Sequence, residues 1–150
     1  DSTISFLERY INAYDLITMN DVLEHIPKQE TVKLLKAANG AVRPGGRLIL
    51  NVPHISGLTS IFCRYNDFTH ETIFTEMSLK QVLFSAGLYN VKFIKQRLSF
   101  KWTPRHLAYR MMRLLWYCIL KLIYTIENPG EKHPSSFQAR LVVSISRDGH

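Results

Sequence analysis

No glycine-rich loop of the G-x-G-x-G kind occurs in the 150 residues; only Gly45 and Gly46 are adjacent. The chain therefore carries no phosphate or nucleoside cradle built on such a loop. Cysteine is scarce. Cys63 and Cys118 are far apart in apolar-aromatic surroundings, which excludes a disulfide-dense scaffold and a thiolate zinc cluster and suits reduced thiols in a cytosolic protein. No signal peptide is evident, because the opening DSTISFLERY reads as mid-domain sequence. Acidic residues are missing between Met77 and Ile126, where Lys80, Lys92, Lys95, Arg97, Lys101, Arg105, Arg110, Arg113 and Lys121 all lie. With a net charge of +7, this block suits an anionic partner such as a phospholipid surface, nucleic acid or phosphorylated substrate. It equally suits a solvated surface balanced by acidic sequence elsewhere.

What is present is enough for one domain, since 46% hydrophobic and 21% charged residues are ordinary for a globular protein with a core. Ile4, Leu7 and Ile11 at helical spacing predict a short helix over 4–12. The apolar run at 14–19 predicts a buried parallel strand. Pro27 suits the first turn of a helix running to about Val42 and burying Val32, Leu35 and Ala38; Pro44-Gly45-Gly46 should end it and reverse the chain. Residues 47–52 predict a second strand, and a long loop with a helical turn near 58–65 follows. Ser78 should cap a helix over 79–86 that stops at Gly87. Strands over 89–98 and 138–146 flank a basic helix over 105–126. The alternation of strands and helices is that of an α/β domain.

Residues 14–53 are the most informative unit. YDLITMNDVLEHIP and VRPGGRLILNVP are joined by a helix, which makes a βαβ unit. Its first strand delivers Asn20, Asp21, Glu24 and His25 to one sheet edge, and ligands of open α/β sheets bind at the carboxyl ends of strands.

The spacing of DLITMNDVLEHI and VRPGGRLILNVP, together with DFTHETIFTEMSLKQVLFSAGLYNV at 67–91, resembles the second half of class I S-adenosylmethionine-dependent methyltransferases. The likeness is to the branch of ubiquinone-pathway and sugar O-methyltransferases, and it covers residues 14–98. It implies a Rossmann-like sheet of order 3-2-1-4-5-7-6 with strand seven antiparallel. Residues 14–19, 47–52, 89–98 and 138–146 would be strands four to seven, and the first three strands, with the glycine loop, would be absent. The division expected is one partial methyltransferase domain over 1–150, within which 14–98 is the region of strands four to six, 99–136 a basic helical insertion or lid and 137–147 the final strand.

The resemblance also implies roles. Met19, Asn20 and Asp21 match positions beside S-adenosylmethionine, although they could simply end a strand. Asp21, Glu24 and His25 share one face if helical and match a magnesium-binding pattern; Glu24 and His25 could instead brace the following helix. For a hydroxyl acceptor a base is needed, and His25 and His70 are the candidates, with Asp67 three residues before His70 to orient it. A structural His70 bonded to loop backbone is the alternative. His54 is a weaker candidate, and His106, His133 and His150 have no constellation.

The helix over 105–126 places His106, Arg110, Arg113, Tyr117 and Lys121 within a sector of about 80°. Its longest uncharged run, Leu114 to Leu120, is far short of a membrane span. It suits either packing on the domain or lying on an anionic lipid surface near a lipid-linked acceptor. Nucleic acid fits poorly, for want of aromatic platforms on a recognisable binding fold. The expected activity is O-methylation of a small, sugar- or lipid-linked acceptor, incomplete in this chain. A non-catalytic methyltransferase-like binding module, self-associating through a bare strand edge, and a peripheral membrane domain are the other classes.

Overall fold

A computed structural model describes residues 2–56, 65–94, 103–131, 134 and 137–147. Cys63, His133, His150, most of the helical turn expected over 58–65 and residues 95–98 of the third expected strand lie outside the described residues. The chain divides into two compact units, one comprising residues 1–95 and 138–150, the other residues 96–137.

The first unit is a mixed α/β layer structure. Its elements are α1 (Thr3–Arg9), β1 (Tyr14–Asn20), a 3₁₀ turn (Leu23–His25), α2 (Lys28–Ala41), β2 (Val42–Pro53), α3 (Glu76–Ser85), β3 (Val91–Ile94) and β4 (Arg140–Ser146). The sheet order is β1-β2-β4-β3. β1 and β2 are parallel, and β4 lies antiparallel between β2 and β3.

α2 forms because Thr31, Leu34, Leu35, Ala38 and Ala41 recur at helical spacing on one buried face. Leu34 and Leu35 meet the alternating Leu48, Leu50 and Val52 of β2 in one apolar cluster. Each such leucine contributes about 1.5–3 kcal/mol relative to exposure. Val32, expected in the core, is only half-buried. β1 is the edge strand of the described sheet and is less buried than its apolar run predicts: Leu16 is half-exposed and only Met19 is buried.

The Pro-Gly-Gly run does not end the helix. α2 stops at Ala41, and Val42–Pro53 is one strand containing Pro44, Gly45 and Gly46 as an irregularity. There β2 advances from Val42 to Arg47 while β1 advances only from Tyr14 to Leu16. Gly45 takes a φ of 79° and donates its N–H to the Arg147 carbonyl. The chain leaves α2 where Val42 turns extended, and the Arg147 guanidinium caps this end by donating to the carbonyls of Asn39 (2.8 Å), Gly40 (2.7 Å) and Val42. This satisfies orphan helix carbonyls and places a cation at the negative helix end. α3 likewise begins earlier than expected. Thr75 is its N-cap, and Ser78 closes a reciprocal capping box from inside the helix.

The second unit contains α4 (Pro104–Glu127), capped by the Thr103 side chain, with Phe137 packing edge-on against Tyr117 and Tyr124.

Two glycine substitutions should move stability in opposite directions. A Cβ on Gly46 would stand 2.7 Å from the Asp15 carbonyl oxygen and 2.9 Å from that of Arg43. Gly46→Ala should therefore cost about 1–3 kcal/mol in urea unfolding. Gly40, inside α2 with open space around it, should gain about 0.5–1 kcal/mol as Gly40→Ala.

Candidate active site

Because β1 and β2 are parallel, their carboxyl ends lie side by side with Asn20 opposite Asn51. The chain leaves β1 through Asp21, whose φ of 52° is a left-handed conformation that Asp tolerates better than most residues. The Asp21 N–H donates to the Asn51 carbonyl at 3.0 Å. Its carboxylate pairs with Arg140 at the start of β4. That guanidinium holds the Asp21 carboxyl below its ordinary range, against the opposing effect of burial. Met19 is buried and Asn20 exposed.

The 3₁₀ turn then carries Leu23 and Glu24 inward, both fully buried. The Glu24 backbone carbonyl accepts the N–H groups of Glu71 (2.8 Å) and Thr72 (3.1 Å), which ties the end of the long loop to this turn. Both Glu24 carboxylate oxygens are buried and meet no hydrogen-bond donor among the described residues. Desolvation pushes the Glu24 carboxyl above its ordinary range, with the nearby Asp21 charge acting in the same direction.

The loop brings Asp67 and His70 to His25. The Asp67 carboxylate accepts from the Thr69 N–H (2.9 Å) and the Thr69 hydroxyl (2.6 Å), and these bonds hold its carboxyl below the ordinary range. The Thr69 hydroxyl has one proton and gives it to Asp67, so toward His25 Nδ1, 2.9 Å away, it can only accept. Nδ1 of His25 is thereby assigned as the protonated nitrogen, and Nε2 is left with its lone pair. The His25 and His70 rings lie 4.7 Å apart between centroids. Asp67 Oδ2 is 3.9 Å from His70 Nε2, so the carboxylate is bonded toward His25 through Thr69 more closely than it approaches His70.

Donor atoms of Glu24, His25 and His70 lie within 4.8 Å of one another. One carboxylate and two imidazoles suit a borderline transition metal; magnesium requires an oxygen-rich octahedral set. Asp21, expected to complete the magnesium set, is paired with Arg140 instead. The residues present do not fit magnesium. His54 is fully buried, with Nδ1 2.8 Å from the Gln138 carbonyl, and burial lowers its pKa. It pins the end of β2 to the approach of β4.

Three residues of the site escaped the sequence reading: Thr69, Arg140 and Asn51. The side-chain oxygen of Asn51 is buried without a donor among the described residues. A lone Asn in an otherwise apolar strand end was the available signal.

Glu24 has a testable pH signature. Its folded pKa is raised above the ordinary 4.5, so the folded state binds the proton more tightly and stability falls as pH rises from about that value through the folded pKa. Glu24→Gln should remove this slope. Urea unfolding with a chelator present should find the variant more stable than the parent at neutral pH, with the difference closing in acid.

No curated protein matches the chain by sequence. Among solved structures, an S-adenosylmethionine-dependent methyltransferase from Archaeoglobus fulgidus superposes with a TM-score of 0.64 at 17% identity, covering 98% of this chain and 66% of that one. An O-methyltransferase family protein from Burkholderia thailandensis gives 0.57 at 15% identity, covering 97% of this chain and 33% of that one. A Haemonchus contortus N-methyltransferase, bound to phosphomonomethylethanolamine and S-adenosylhomocysteine, gives 0.51 at 15% identity, covering 93% of this chain and 35% of that one. The chain thus spans about two thirds of the first and about one third of the other two, and shares their fold. A family model described as a methyltransferase domain matches residues 5–92, more than half of the chain, which therefore belongs to the methyltransferase-domain family.

Proposed function

We propose that this chain is the acceptor-side half of an S-adenosylmethionine-dependent O-methyltransferase acting on a small, sugar- or lipid-linked hydroxyl acceptor. The observation that carries the reading is the Asp67–Thr69–His25 chain at the carboxyl end of β1. The sheet order β1-β2-β4-β3 with β4 antiparallel supports a correspondence with strands four to seven of the seven-stranded sheet. The exposed edge of β1 supports it too.

The cofactor, when bound, supplies a methyl group on a sulfonium sulfur that leaves as a neutral thioether. Asn51 fits such a ligand, because its orphaned buried oxygen at the strand ends can accept from a cationic amino group. Met19, Asn20 and Asp21 surround the same strand end. His25 Nε2 takes the acceptor's hydroxyl proton as the oxygen–methyl bond forms. Thr69 fixes the imidazole's tautomer and orientation, and ionised Asp67, reached through the Thr69 hydroxyl, favours the imidazolium.

In an enzyme carrying both halves, His25→Gln should lower kcat about 10²–10⁴-fold with the KM for S-adenosylmethionine unchanged. An unaltered kcat removes His25 as the base. Titration calorimetry of the 150-residue chain with S-adenosylmethionine should show binding weaker than micromolar. Micromolar affinity overturns the half-domain reading while leaving the methyltransferase family in place.

A further inference from the structure

α4 has an unusually wide apolar face. At 100° per residue, its apolar side chains run from Leu114 and Leu107 through Met111, Leu115 and Ile119 to Trp116, an arc of about 200°. The large residues along it are exposed: Leu115 is 63% and Met112 69% accessible. Among the described residues, Phe137 packs on Tyr117 and Tyr124, on the other side of the helix. One charge, Arg105, falls inside the arc, and it lies in the first turn. Opposite the arc stand His106, Arg110, Arg113 and Lys121, and no acidic residue occurs in the helix before Glu127.

We infer that this face of α4 is a docking surface for an anionic lipid bilayer. The width of the arc argues against a second copy, since a helix seam buries a stripe of about 100° or less. A lipid surface can cover a full half-cylinder. The charge is complementary: basic residues face the headgroups while the apolar arc enters the acyl boundary. Tyr109 and Trp116 lie at one margin of the arc, where aromatic rings with a polar edge prefer to sit at a membrane interface. No helix among the described residues is long and apolar enough to cross a membrane, so α4 lies in the surface plane.

The test is sedimentation of the full 150-residue chain with vesicles of phosphatidylcholine alone or mixed with phosphatidylglycerol. Binding should require phosphatidylglycerol and bring a blue shift in tryptophan emission that Trp116→Phe abolishes. Leu115→Glu with Ile119→Glu should abolish binding without lowering the unfolding temperature measured free of lipid. Arg110→Gln with Arg113→Gln should weaken it about fivefold for each charge removed. Absence of vesicle binding overturns the inference. So does a drop in unfolding temperature for the Leu115/Ile119 variant in lipid-free buffer, which would mark the arc as internal packing. A parent dimer that this variant converts to monomer overturns it as well, by assigning the arc to a second copy.

Discussion

The parallel pairing of β1 with β2 is the constraint from which the rest of the first unit follows. Parallel neighbours cannot be joined by a tight turn, so the chain must cross over, and α2 is that crossover. Its leucines and alanines close one face of the sheet. The same pairing sets both strand ends at one edge, opposing Asn20 to Asn51. Asn20 ends β1, whereas β2 continues two residues past Asn51 to Pro53. The irregularity at Gly45 and Gly46 lets β2 begin immediately after α2 while keeping this register. Arg147, arriving from the far end of β4, closes the helix that β2 left uncapped.

At the strand ends, electrostatics separates carboxylates of the same chemical class. Asp21 is ionised by its guanidinium partner and Asp67 by two donors from Thr69, whereas Glu24 is buried without a donor and pushed toward its neutral form. Only a charge with a compensating partner is readily held in such surroundings. The division leaves Asp67 as the stable anion that polarises the Thr69–His25 pair. The loop holding Asp67 is fixed by two backbone bonds to the Glu24 carbonyl, so the buried turn and the histidine site form one piece of structure.

The second unit obeys a different balance. A helix with a broad exposed apolar arc cannot draw stability from that arc in water; it gains only from whatever covers it. Its basic sector, with no acid before Glu127, favours a cover of negative sign. α4 is thus unlike α2, whose Leu34, Leu35, Ala38 and Ala41 are buried inside the first unit.

The sequence by itself determined the α/β class, the order of the elements and the grouping of polar residues just past β1 from which the candidate site is built. Hydrophobic periodicity and turn residues are local signals that survive without a fold. Glu24, His25, Asp67 and His70 were legible for the same reason, as polar residues grouped just past an apolar strand or in a long loop. Tertiary structure alone decided which of them meet. The 44-residue separation of Thr69 from His25 is closed by the contact between their side chains and by the backbone bonds from Glu71 and Thr72 to the Glu24 carbonyl, and no local pattern encodes those contacts. Asp21 was drawn away to Arg140, 119 positions distant. The helix ends at Ala41, within a residue of the end expected near Val42, but its capping cation, Arg147, comes from just past the last strand. Local propensity writes the elements, but the partners of their charged and polar ends come from remote sequence, and those partners decide the chemistry.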